Sequence, residues 1–162
     1  MRQGLILSCL VALAGCNITP SKGYEGPSRP SKDLAVLRGG AGGEENGYQS
    51  RVSLLAIDGV AFREGVYLAS ILPGRRRIEL SESVRLFRGV SMQYCVFDLE
   101  AAAACLYSPK PPSPPSDAFA REAWDWNVDM PVAVECNDGT AFQLRVPARC
   151  GSSLQATQKG RL

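Results

Sequence analysis

The chain contains no histidine. That absence removes the commonest general base, the commonest metal ligand and the usual physiological pH switch together. A serine or cysteine nucleophile activated through imidazole is excluded, and no Ser-x-x-Lys offers a serine–lysine substitute. Cysteine pairs at C-x-x-C spacing are absent too, so the motif that depresses a redox thiol is missing. An excess of one charge is equally lacking: beyond residue 15 there are 17 Lys and Arg against 16 Asp and Glu. No electrostatic footprint for nucleic acid results. The longest apolar run, Leu5–Ala14, is half the length of roughly twenty residues that a membrane-crossing helix requires.

That run follows Met1-Arg2-Gln3-Gly4, a short stretch with one positive charge, as in a secretion signal. Leu13-Ala14-Gly15-Cys16 comes next and resembles, at all four positions, the lipobox of bacterial lipoproteins. The resemblance implies that residues 1–15 are a signal peptide, that Cys16 carries a diacylglycerol after cleavage, and that its amino terminus gains a further acyl chain. Each buried CH₂ contributes about 0.8 kcal/mol, so one chain anchors marginally and two or three hold firmly. An ordinary signal peptide preceding a disulfide cysteine is the competing reading. Asn17, where inner-membrane lipoproteins of this kind carry Asp, points by the same resemblance to the periplasmic face of the outer membrane.

Past residue 15 the chain has 147 residues, enough for one domain, and at 45% hydrophobic and 21% charged its composition is ordinary for a globular protein. Cys9 falls in the signal and Cys16 takes the lipid, which leaves Cys95, Cys105, Cys136 and Cys150. In an exported protein such an even set predicts two disulfides, with three connectivities open. The sequence-local pairing, Cys95–Cys105 and Cys136–Cys150, is the expectation.

Residues 16–33, rich in Ser, Pro, Gly and Lys, are predicted as a lipid-anchored tether, residues 34–150 as a β-rich domain and 151–162 as a frayed tail. Leu34–Leu37 starts the strands. The Gly-rich stretch 39–47 lacks both GxxxxGK[ST] and a following helix, so a loop is expected rather than a phosphate cradle. Arg51–Ile57, the turn Asp58-Gly59 and Val60–Phe62 predict a hairpin. Val66–Ile71, Leu72-Pro73-Gly74 and Arg75–Leu80 predict a second, through a type II turn. Further strands are expected at Ser91–Phe97, Ala104–Tyr107, Trp124–Val128, with both tryptophans inward, and Pro131–Cys136 paired with Thr140–Val146 across Asn137-Asp138-Gly139. A helical turn competes at the alanine run 101–103. Pro109–Pro115 is loop. Some eight short strands without a strong helix define a mainly β fold, an antiparallel sandwich or partly open barrel.

Gly23-Tyr24-Glu25-Gly26-Pro27, Leu34-Ala35-Val36-Leu37, Ile57-Asp58-Gly59 and Leu72-Pro73-Gly74 with Ile78-Glu79-Leu80 resemble, in this order, uncharacterised Gram-negative lipoproteins with a PEGA-like β domain. The resemblance spans residues 13–80 and implies a β-sandwich without catalytic activity; Arg75 and Arg76 stand where such relatives often have a histidine.

Four chemistries compete with a purely structural reading. Asp98 with Glu100, or Asp125 with Asp129, would serve as acid and base on a glycan, though carboxylates on one strand face are the simpler explanation. Asp125-Trp126-Asn127-Val128-Asp129 opens like a calcium loop but carries Met130 and Cys136 where the loop needs Gly and Glu. The prolines of 109–115 would suit a PxxP ligand as well as a stiff surface loop. Arg75-Arg76-Arg77, the one dense basic cluster, would meet phosphates or an acidic partner, or stand as a solvated strand end. The function expected is a non-enzymatic binding or assembly lipoprotein, held to the membrane by lipid on Cys16, with an envelope protein as partner and neither cofactor nor metal. A carboxylate-dependent envelope enzyme acting on glycans is the alternative.

Overall fold

A computed structural model describes residues 19–45, 48–86, 89–112 and 125–153. These residues are strand almost throughout: β1 Ser21–Lys22, β2 Ala35–Arg38, β3 Gly40–Glu45, β4 Tyr48–Ile57, β5 Val60–Val66, β6 Leu68–Ile71, β7 Gly74–Leu86, β8 Gly89–Ala101, β9 Cys105–Pro109, β10 Asp125–Cys136 and β11 Ala141–Gly151. One 3₁₀ turn, Ser31–Asp33, precedes β2. Alternation sets the faces, because successive side chains on a strand point to opposite sides. Ile78, Leu80 and Val84 of β7, with Cys95, Phe97 and Leu99 of β8, point into the core.

The strands form one sheet in the order β1-β6-β2-β9-β10-β11-β8-β7-β4-β3, with β5 also on β4. It is nearly closed into a barrel, so of the antiparallel sandwich and the partly open barrel expected from the sequence the barrel is found, with β1–β6 and β2–β9 as parallel pairs. Closure follows from connectivity. β3 continues β2 past Gly39 and pairs with β4, so a strand near one end of the sheet runs directly into the strand at its other end. Similarly β5 pairs with β4 and passes through Tyr67 into β6, which pairs with β2. Gly39 N–H donates to the Tyr67 carbonyl at 2.8 Å where these runs meet. A Cβ on Gly39 would stand 2.4 Å from the Val52 carbonyl oxygen. Only glycine allows that approach.

Several expectations change. The Gly-rich segment is not a loop over its first part but strand β3, because ladder hydrogen bonds use backbone groups that glycine has in full. Asp58 (φ 51°) and Gly59 (φ 83°) make the predicted hairpin turn, and Gly74 has the predicted positive φ of 95°. Leu72-Pro73-Gly74 nevertheless closes no hairpin: β6 pairs with β1 and β2, whereas β7 pairs with β4 and β8. No helix forms at the alanines, since β8 runs to Ala101 and Ala104 takes φ 60° just before β9. The predicted segments 124–128 and 131–136 fuse into the single strand β10 through Pro131. Pro131 lacks an N–H but lies one residue outside the β9–β10 ladder, which ends at Val132 opposite Pro109. Part of the expected tether belongs to the fold: Ser21–Lys22 is the parallel neighbour of β6, and Gly23 is buried against Ile57. Trp126 packs on the core from a half-buried position; Trp124, the end of the proline segment at 113–115 and the tail from residue 154 lie outside the described residues.

Both disulfides join neighbouring strands at directly opposed positions. Cys95–Cys150 links β8 to β11 with Cα atoms 4.1 Å apart, and Cys105–Cys136 links β9 to β10 at 4.0 Å. The sequence-local pairing is therefore wrong. β8 and β9 adjoin in sequence but not in the sheet, where β10 and β11 stand between them. With the β10–β11 hairpin, the two bonds tie β9, β10, β11 and β8 covalently into one wall.

Candidate functional site

Cys16, the expected lipid site, lies outside the described residues. The arginine cluster at the start of β7 is described, and it is engaged rather than free. Arg75 donates to Asp98 Oδ2 at 2.7 Å, and the Asp98 carboxylate raises the guanidinium pKa above its ordinary value. Arg76 spans two turns, donating to Asp58 Oδ2 at 2.9 Å and to the Leu72 and Pro73 carbonyls at 2.9 and 2.7 Å. Arg77 has its backbone N–H on Asp58 Oδ1 at 2.8 Å and its Nε 3.8 Å from Glu79. Alternation also sends Arg76 to the face opposite Arg75 and Arg77. The three do not form a common anion site.

What the sheet does assemble is a groove of about 430 Å³ on its outer face, across β7, β8, β11 and β10. Register explains its lining. Arg77 stands opposite Asp98, and Asp129 opposite Pro147, in one row; Val96, Arg149 and Asn127 form the next row on the same face. Two cations, two carboxylates and an amide thus line one groove with Val96 and Pro147 between them. Of the two predicted carboxylate pairs one member each, Asp98 and Asp129, lines this groove from strands two apart; Glu100 does not line it, and the side chain of Asp125 lies outside what the structure describes. The set was hidden in the sequence because its members, Asn127 and Asp129 excepted, lie 20 to 72 positions apart and only register aligns them; alternation around Asn127 and Asp129 was the one local signal. Among the described residues no three His, Cys, Asp or Glu side chains gather as a metal site.

A second polar cluster lies inside the barrel. Glu82 on β7 and Gln93 on β8 face each other in register, 5% and 1% exposed. Gln93 Nε2 donates to Glu82 Oε2 and, at 3.1 Å, to the Pro112 carbonyl. Burial pushes the Glu82 carboxyl above its ordinary range, opposed by hydrogen bonds from Gln93 and Ser50 and by the charge of Lys110. The cluster fixes the chain leaving β9 against the barrel interior.

Fold and site together define a small disulfide-stapled β-barrel with a polar groove of mixed charge on its outer wall. No protein-family model matches the chain, and no curated protein or solved structure matches it.

Proposed function

We propose that the chain is a lipid-anchored protein of the bacterial envelope whose barrel acts as a non-enzymatic binding or assembly module facing the periplasm, with the groove as its recognition face. The groove carries the recognition half of the proposal: Arg77, Asp98, Asn127, Asp129 and Arg149 offer donors and acceptors of both signs, all but Arg77 on strands held by disulfides. Mixed charge suits a partner segment bearing both signs better than a bare anion. The lipobox at Cys16 supports the anchor, and mass spectrometry of the mature amino terminus tests it; an unmodified Cys16, or cleavage elsewhere, would sink that half. For recognition, a photo-crosslinker placed at Asn127 in the native envelope is expected to capture one discrete partner. Asp129→Ala should abolish the capture and Phe142→Ala, outside the groove, should not. Equal capture by the Asp129 variant would overturn the assignment.

One observation favours a second reading, an enzyme on glycans. Asp98 and Asp129 share the groove two strands apart, about 10 Å by strand spacing, close to the separation of an inverting carboxylate pair. The Asp98 Oδ2 atom, however, is occupied by Arg75. Peptidoglycan hydrolysis that disappears in Asp129→Asn would favour the enzyme, whereas no hydrolysis by the parent chain favours the module.

A further inference from the structure

We infer that the barrel lies against the bilayer on one defined face, made by Arg51, Tyr67, Arg85, Val90 and Met92, which contacts anionic lipid directly. This rests on the lipid-anchor reading for its setting, but its evidence is separate. Three of the four exposed large hydrophobic side chains among the described residues, Tyr67 (44%), Val90 (64%) and Met92 (39%), fall on this face. Register brings them together. Val90 is opposite Arg85, Met92 is opposite Ser83, and Ser83 is in turn opposite Arg51. The Arg51 guanidinium sits over the Tyr67 ring, 5.6 Å from its centroid. Leu54, Leu80 and Cys95 point inward, so these side chains share the outer surface.

The exposed or half-exposed positions where β4, β7 and β8 adjoin, Arg51, Ser53, Ser83, Arg85, Val90, Met92 and Tyr94, include two arginines and no carboxylate; acidic positions stand beyond them at Glu45 and Glu64, on β3 and β5 at the other edge of β4. Basic heads beside aromatic and aliphatic bodies match a membrane interface: the apolar parts enter the acyl boundary and the guanidiniums stay with anionic head groups. The wall bearing the groove, by contrast, is of mixed charge.

The path of the chain supplies the orientation. β1 is parallel to β6, with Ser21 opposite Ala69 and Lys22 opposite Ser70. Followed backwards from Ser21, the register therefore leads towards Tyr67. Cys16 is five residues before Ser21, a reach of about 18 Å at full extension. A lipid on Cys16 would hold the barrel close to the head groups by the end at which this face stands.

The test uses the chain from residue 16, which includes every described residue, with Cys16→Ser to prevent acylation. Binding to vesicles of phosphatidylcholine with phosphatidylglycerol is measured by co-sedimentation, with pure phosphatidylcholine as the second arm. Binding is expected on the anionic vesicles and at least fivefold weaker on the neutral ones. Val90→Asp with Met92→Asp, and separately Arg51→Gln with Arg85→Gln, should each reduce it at least fivefold, while Phe142→Asp, exposed elsewhere, leaves it unchanged. Circular dichroism confirms folding, and Val90→Ser with Met92→Ser replaces any variant that fails to fold. No binding by the parent, equal binding by the face variants, or equal loss in Phe142→Asp would overturn the inference. Acylation of Cys16 is read independently by mass, so failure of the face and failure of the anchor are distinguishable.

Discussion

Glu82 is the residue whose chemistry is most altered by its position. Burial raises its pKa, so the native state holds the proton more tightly than the unfolded chain does. The stabilising contribution is thus complete below the ordinary value of 4.5 and is lost as pH rises through the raised one. Glu82→Gln keeps an acceptor for Gln93 while removing the ionised form. We expect it to melt higher than the parent at pH 7, with the two converging below about pH 4.5; parallel melting curves across that range would refute the assignment. Gly39 makes the complementary case in backbone space. The carbonyl 2.4 Å from its hypothetical Cβ belongs to β4, which is held on both sides and cannot retreat freely. Gly39→Ala is therefore expected to cost about 1–3 kcal/mol, the scale of overpacking, by urea denaturation, whereas Gly59→Ala meets only its positive φ.

At the scale of elements, the disulfides separate what the sequence discloses from what it conceals. Turns at Asp58-Gly59 and Asn137-Asp138-Gly139 were legible because their chemistry is local: Gly59 and Gly139 take positive φ, and Asp138 Oδ1 accepts the Thr140 N–H at 2.9 Å. The hairpin partners that those turns join, β4 with β5 and β10 with β11, were legible with them. Other strand partners were not, because β4 meets β7 and β8 meets β11 across longer stretches of chain, and no local pattern encodes such a meeting. The same gap misplaced the disulfides, made a hairpin of Leu72-Pro73-Gly74, and left Arg75, Arg76 and Arg77 as a cluster when Asp58 in the β4–β5 turn and Asp98 on β8 divide them. Non-reducing peptide mapping should recover Cys95–Cys150 and Cys105–Cys136 alone. The bonds close loops of 55 and 31 residues, for which chain entropy gives about 4 kcal/mol each. The shorter loop is nested in the longer, so each bond shortens the loop that the other closes and partly covers for its loss; we expect double removal to cost more than the sum of the two single losses.

Across the whole molecule the barrel has two unlike sides. One is the covalent wall β9-β10-β11-β8, with an eleven-residue ladder between β10 and β11 and a disulfide on either flank. The other is the seam, where β2 bends into β3 at Gly39, β5 passes into β6 at Tyr67, and β1 contributes only two residues. Local opening follows the density of ladder bonds and buried contacts, so the seam should open at lower free energy than the wall. In hydrogen exchange, amides of β1, β3 and β6 are expected to exchange at least about tenfold faster than those of β10 and β11. Reduction of the disulfides should accelerate β9 most, since its ladder to β2 has only two paired positions. Uniform protection around the barrel would contradict this division. On the proposed reading the division has a use: most of the groove, which would have to keep a fixed geometry to recognise a partner, is on the wall, and the strand leading back towards Cys16 is on the seam, where movement at a lipid anchor would be absorbed before it reached the groove.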